Sequence, residues 1–468
     1  MTTTEVATVV TWNPANGKQL ASYPVHSDHD VDQAVGEVFA AAERWGQVPA
    51  ADRAPVFARL AEALEARSTE LSELISSEMG KPLGESAAEV AKCVWACTHY
   101  AENGAALLEP ESITTAAEST TLVYEPLGVI FAVMPWNFPL WQLFRFAVPA
   151  VLAGNGILLK HAPNVSGCAL AIEELFAAAG FASGLLRSLI VDEARVPDVS
   201  STVIADPRVA AVTLTGSTRA GAHVAAAAGK ALKKSVLELG GSDPFVVLAD
   251  ADLATAAAHA AKSRLMCAGQ TCIAAKRIIV HSDVAEEFER LFVENVSTMV
   301  VGDPFADGTN VGPLARADIL EQLERQVQGS VALGARVLCG GHRIEGPGHF
   351  FAPTILTDVT AAMPVVAEET FGPVAALIVV DDDDEAVATA NDTEYGLAAS
   401  IWSRDTDHAL AVGRRIRSGA LFVNSFVSSD PRVPFGGIKR SGYGRELGAA
   451  GIGEFTNLRT IWVAKQAG

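Results

Sequence analysis

Three short segments carry side chains able to do covalent chemistry. CAGQTCIAAKR places Cys272 just after a Gly-Gln-Thr turn. SVLELGG places Glu238 among apolar neighbours ahead of Gly240 and Gly241. MPWNFPLWQLFRF places Asn137 in a loop braced by prolines on either side. A thiol is a nucleophile once ionised, a carboxylate can take a proton from water, and a side-chain amide can donate to a developing oxyanion. Each also has a plainer reading. Glu238 could be a paired structural carboxylate, Cys272 a small buried hydrophobe and Asn137 a turn former. Taken singly, the plainer reading prevails for each.

A fourth segment, VTLTGSTRAG, sets Thr215, Gly216 and Ser217 in a small-residue turn between a strand and a helix. It is neither the G-x-G-x-x-G fingerprint nor a P-loop, since Gly216 and Gly221 are five apart and no Gly-Lys-Thr follows. The physical logic is shared, because backbone N–H groups and a helix N-terminus can approach a pyrophosphate there. Lys160 closes the run ILLK, at the edge where open α/β sheets bind ligands.

The elements that must position these groups are legible in the pattern. Apolar residues at helical spacing predict helices over 30–45, 53–79 and 85–108, the second ending at Gly80 as a C-cap. Strands are expected at 121–124 and 129–133. From residue 156 the chain alternates. Strands are expected at 157–160, 188–191, 210–214 and 236–239, with helices at 166–179 and 220–229 between them. A second alternating unit has strands at 245–248, 277–280, 374–380 and 421–424. Its helices are expected at 251–266, 286–300, 319–333, 384–391 and 407–416. Such alternation implies parallel sheets with crossover helices. Residues 455–463 form a candidate strand for pairing with another chain.

A chain of 468 residues is too long for one ordinary core, so two or three domains are expected. Hydrophobic residues at 49% and charged residues at 19% argue for buried globular structure rather than disorder. The net charge of −20 argues against nucleic acid and anionic lipid as partners and favours a small diffusible one. The apolar stretch 128–159 is interrupted by Pro135, Pro139 and Pro149 and reads as strand, loop and buried helix, not as a membrane span. The first residues lack a basic region followed by an apolar one, so no secretory signal is expected. The six cysteines, at 93, 97, 168, 267, 272 and 339, are scattered. They predict no disulfide framework, no zinc site and a reducing cytoplasmic setting. Cys93 and Cys97 read as core filling, and no bond between Cys267 and Cys272 is expected.

Together with EETFGPV at 368–374, these segments resemble the aldehyde dehydrogenase superfamily. The resemblance runs from the turn at 13–17 to PFGGIKRSGYGRE at 434–446. In LLKHAPN, LELGGSDPF and GQTCIAAKR it is closest to the NAD(P)-dependent succinate-semialdehyde dehydrogenases. It implies Cys272 as nucleophile, Asn137 and the Cys272 N–H as oxyanion donors, and Glu238 as the base that activates water on a thioester. It implies cofactor contacts at Trp136, Lys160, Ser217, Glu369 and Phe371. Pro163 stands where NAD-preferring members often carry a glutamate, so both NADP and NAD are expected, with NADP slightly favoured. The implied fold is α/β, with two parallel-sheet domains and a small β oligomerisation element. The expected division is 1–109 with 127–239 for the dinucleotide, 240–454 for catalysis, and 110–126 with 455–468 for assembly into a homodimer or homotetramer.

Arg145 bears on the substrate. It lies in an otherwise apolar helix, and burying a guanidinium without a partner costs several kcal/mol. An internal carboxylate is one candidate partner and a substrate carboxylate the other. Trp141, four residues earlier, shares its face. Succinate-semialdehyde members carry such an arginine, and a serine in a late loop that matches Ser429. The substrate is therefore expected to be the partner. The alternatives are another semialdehyde or general aldehyde dehydrogenase of this fold, a CoA-acylating relative, a thiol esterase without hydride transfer, or a non-catalytic scaffold. Glu238 speaks against CoA acylation, which needs no activated water, and Glu369 with Phe371 against a pure esterase.

Overall fold

The computed structural model describes residues 7–466; the outermost ends of the expected first domain and assembly element lie outside them. Two sheets organise the chain. In the first, five parallel strands run in the spatial order Lys234–Glu238, Val209–Thr215, Val129–Met134, Gly156–His161, Leu186–Ser188. The chain reverses direction across the sheet between Val129–Met134 and Val209–Thr215. Open α/β sheets bind ligands at such a switch point, beyond the carboxyl ends of the strands. The Trp136–Asn137 loop and the Gly216–Ser217 turn leave those two ends.

The second sheet is seven-stranded, and its central pairs are parallel. Its strands Ala275–His281 and Val374–Val380 begin a few residues after Cys272 and Phe371. The nucleophile and the EETFGPV loop thus enter the second sheet facing the exit loops of the first. The buried apolar runs 278–280 and 374–377 within them suit strands covered on both faces.

Several elements differ from expectation. The helix expected at 53–79 is two, Ala50–Ala66 and Ser68–Met79, because Arg67 leaves helical geometry. The second does end at Gly80, whose φ of 84° only glycine adopts without strain. The strand expected at 188–191 is Leu186–Ser188. Ala398–Trp402 is an unforeseen central strand, too short for periodicity to separate from a buried loop. Gly442–Tyr443 pairs antiparallel with Leu237 and Glu238, so a pair of residues from the expected catalytic stretch extends the cofactor-side sheet. The C-terminal strand Thr456–Val463 pairs antiparallel with Ser119–Pro126 of its own chain, joining the two segments of the expected assembly element. It remains an edge strand with Leu458, Ile461 and Trp462 exposed. Among the described residues no helix is long and apolar enough to cross a membrane.

Candidate active site

The helix Trp141–Leu152 is buried along its whole length and begins the wall of the site. Its first free amides, Leu140 N–H and Trp141 N–H, both donate to Glu89 Oε1 at 2.9 and 3.0 Å. A carboxylate at a helix N-terminus satisfies those donors and the helix dipole. Glu89 is paired in turn with Lys81, whose ammonium lies 3.6 Å from the centre of the Phe138 ring. The PWNFP loop is thereby fixed from below.

That loop aims Asn137. One amide hydrogen of Asn137 donates to the Gln270 carbonyl at 2.9 Å, and Gln142 approaches its oxygen at 3.5 Å. The other amide hydrogen stays available. The Cys272 loop is bound independently. Cys267, Ala268 and Gly269 take φ values of 55°, 51° and 73° in succession, a left-handed run that costs energy at the two non-glycine positions. Glu85 accepts the Cys267 N–H at 2.8 Å, Arg264 donates to the Gly269 carbonyl at 2.9 Å, and Gln270 Oε1 accepts Ala315 N–H at 2.9 Å. These bonds over-determine the turn and hold Cys272 at its end. The Cys272 N–H has no acceptor among the described residues and is free for an oxyanion.

Lys276, quoted in the sequence motif without a role, ties the site together. Its ammonium donates to the carbonyls of Gly241 and Cys272 at 2.6 and 2.8 Å and to Glu369 Oε1 at 2.8 Å. Gly241 N–H reaches the same oxygen at 3.0 Å, which leaves Glu369 Oε2 for a ligand. That oxygen sits where a Cβ at Gly240 would lie, so a larger residue there would displace the Glu369 carboxylate.

Cys272 stands between two cavities. The larger, about 510 Å³, is lined by Trp136, Asn137, Thr215, Gly216, Ser217, Glu369 and Phe371. Ser217 caps the helix Thr218–Lys230, so that helix presents its first amides to the cavity. Arg219 also lines it and forms no ion pair among the described residues; sequence reading did not single it out. Trp136 and Phe371 meet edge to face at 5.7 Å. Lys160 and Pro163 are absent from this wall, although Lys160 ends the neighbouring strand. Burial lowers the Lys160 ammonium to about 8, with Glu193 opposing and Arg316 assisting. Glu193, which acts on Lys160, lies 3.6 Å from Arg316. The smaller cavity, about 180 Å³, holds Trp141, Arg145 and Ser429.

Burial dominates the electrostatics of both reacting groups. Burial pushes the Cys272 thiol up to about 11, with Arg145 and Lys276 pulling it back, so the thiol is not a resting thiolate. Glu238 is buried, lines neither cavity, and both its oxygens lack a partner. Burial, then repulsion from Glu446, raise it well above the ordinary carboxylate range despite Arg145 and Arg445. It rests as a neutral acid.

Arg145 has an internal partner. Its Nε pairs with Glu446, 301 residues away, and Nη2 lies 3.4 Å from Thr215 Oγ1. Of the two candidate partners the internal carboxylate is present, and Arg145 still lines the smaller cavity. Cys267 and Cys272 are both free thiols, and the Cys267 thiol lies 3.5 Å from the Asn137 carbonyl.

A nucleophile loop between an open α/β switch point and a second, smaller cavity defines a two-substrate enzyme in which a cysteine meets a small molecule beside a dinucleotide. Residues 1–461 match the Aldehyde dehydrogenase family, and the chain belongs to it. Its relatives include a probable NADP(+) succinate-semialdehyde dehydrogenase of Synechocystis sp., 46% identical over 97% of this chain and 100% of that one. An NAD(P)+ succinate semialdehyde dehydrogenase of Escherichia coli is 45% identical, covering 99% of each. The crystal structure of the succinic semialdehyde dehydrogenase of Streptococcus pyogenes in complex with NADP+ superposes with a TM-score of 0.94 at 35% identity, over 98% of this chain and 100% of that one.

Proposed function

We propose that this protein oxidises succinate semialdehyde to succinate, using NADP+ or NAD+. The observation that carries the reading is Cys272 at the junction of a dinucleotide-sized cavity and a small aromatic one with cationic walls. The relatives' shared substrate supports it.

The larger cavity suits the cofactor. The helix amides after Ser217 and the unpaired Arg219 would meet the pyrophosphate, with Lys160 toward the adenosine ribose. Glu369 Oε2, pre-oriented by Lys276, would accept from the nicotinamide ribose, with Phe371 and Trp136 beside it. When bound, the cofactor supplies the hydride acceptor. Cys272, after losing its thiol proton to solvent, adds as the thiolate to the aldehyde carbon, and the new oxyanion takes the free hydrogen of Asn137 and the Cys272 N–H, each such donor being worth about 3–4 kcal/mol. Loss of hydride from that carbon leaves a thioester on Sγ. Glu238, after giving up its proton and turning toward Sγ, takes a proton from water as the water attacks the thioester. Succinate leaves and the thiolate is restored.

The direct test is absorbance at 340 nm with NADP+ and succinate semialdehyde or butanal. A marked preference for the acid supports the reading; no signal with any aldehyde sinks it. For the cofactor, Pro163 offers neither a carboxylate against a 2′-phosphate nor a hydroxyl to bind it. The kcat/KM values for NADP+ and NAD+ should lie within about 100-fold, NADP+ ahead. A larger ratio in favour of NAD+ refutes this, and would direct attention to Glu193. The exposed C-terminal edge strand favours a homodimer or homotetramer, and a cytoplasmic setting fits the free thiols.

A further inference from the structure

The smaller cavity contains a cation that no motif announced. Lys92 projects from the helix Leu83–Asn103 into its wall. Its ammonium donates to Ser429 Oγ at 2.9 Å and lies 4.7 Å from the centre of the Trp141 ring, and it forms no ion pair among the described residues. The same Ser429 oxygen accepts the Trp141 indole N–H at 3.1 Å. A hydroxyl oxygen has two lone pairs, and both are used. The Ser429 hydroxyl proton has no acceptor among the described residues, and two of the three ammonium hydrogens of Lys92 are equally uncommitted. Three donors therefore converge on one side of an apolar, Trp- and Phe-lined space. Such an arrangement is costly when empty and suits a carboxylate.

We infer that Lys92 holds the far carboxylate of the substrate, acting beside Ser429 and Arg145. This inference rests on the semialdehyde-acid reading above. The carboxylates around Lys92 are already committed. On its own helix, Glu89 is engaged by Lys81 and two backbone amides. On the late loop, Asp430 is paired with Arg432. Glu85, on the cavity wall, is raised by burial to about 7 and accepts the Cys267 N–H. Arg145 faces Lys92 from the helix Trp141–Leu152 with its charge balanced by Glu446. Cys93, beside Lys92, is a thiol held neutral by burial. A substrate carboxylate would be the first anion to neutralise Lys92. The cavity spans from Lys92 to Cys272, so an acid bound at one end presents its aldehyde to the other.

Burial and Arg145 lower the Lys92 ammonium to about 8. This yields a signature that a structural lysine lacks. Only the protonated form binds the acid, so selectivity is full below pH 8 and falls about tenfold per unit above it. Taking the ratio of kcat/KM for succinate semialdehyde over butanal cancels the ionisation of Cys272, which both substrates share. The test is that ratio between pH 6.5 and 9.5 in the wild type, Lys92→Met and Lys92→Arg. The expected result is an alkaline fall in the wild type. In Lys92→Met the ratio should drop about thirtyfold, carried by KM, which is about 2 kcal/mol at 1.4 per decade. In Lys92→Arg much of the selectivity should return and the alkaline fall should vanish. A wild type that prefers the acid, combined with a Lys92→Met ratio changed less than threefold, overturns the anchor while leaving the proposed function intact. A wild type with no preference for the acid overturns the proposed function itself.

Discussion

Cys272→Ala is expected to abolish NAD(P)H formation with every aldehyde, by at least roughly 10⁴-fold, since no other group can take the covalent role. The remaining cysteines of the described chain are poor substitutes. Cys267 is raised by burial to about 12 and lies against the Asn137 carbonyl. Cys93, Cys97 and Cys168 are fully buried. The variant should keep its thermal transition and its affinity for NADP+, because the loop that presents residue 272 is held by Glu85, Arg264, Gln270 and Lys276 rather than by the thiol. Residual turnover above that level would remove Cys272 from the mechanism. In the wild type the thiol's position near 11 makes thiolate a minority at neutral pH. The kcat/KM for butanal should accordingly climb with pH by up to tenfold per unit below that value. A positive charge brought beside Sγ by the bound cofactor would shift the whole profile to lower pH, so the same measurement on the iodoacetamide reactivity of the free and NADP+-bound protein separates the two states.

Glu238→Gln should produce a different failure. Thiol addition and hydride loss do not need this carboxyl, whereas hydrolysis of the thioester does. Rapid mixing should therefore show close to one equivalent of NAD(P)H per site, followed by a steady state reduced about 10²–10⁴-fold. Absence of both burst and turnover would mean that Glu238 acts earlier, and an unchanged steady state would exclude it as the base. The resting geometry explains why the residue can serve. Burial and Glu446 hold it neutral, and neither oxygen is tied to a neighbour. No hydrogen bond among the described residues holds its carboxyl in place. Because its pKa is raised, the base form is the minority at low pH, so the steady-state rate of the wild type should increase as pH rises, and the glutamine variant should lose that dependence.

One cation governs both behaviours. Arg145 pairs with Glu446 and also acts on Glu238 and Cys272. It favours the ionised forms of the base and the nucleophile while Glu446 offsets its charge. Removing one member of a buried pair leaves an uncompensated charge. Arg145 is thus an internal electrostatic component of the site that also lines the smaller cavity, where Lys92 is the cation without an ionic partner among the described residues.

The division between sequence and tertiary structure follows from distance along the chain. Local signals sufficed for Gly80 as a helix stop, for the strand–turn–helix around Gly216 and Ser217, and for most alternating strands and helices, because caps, turns and periodicity are properties of neighbouring residues. Residue types in family order sufficed for Cys272 as the thiol of an aldehyde dehydrogenase. They could not say who partners whom. Lys92 meets Ser429 across 337 positions, Arg145 meets Glu446 across 301, and Lys276 reaches Glu369 across 93. No periodicity records such pairs. They exist because sheet order and loop closure bring strand ends together, and only then do burial and charge decide which lysine is left free, which arginine is already neutralised and which carboxyl waits as an acid.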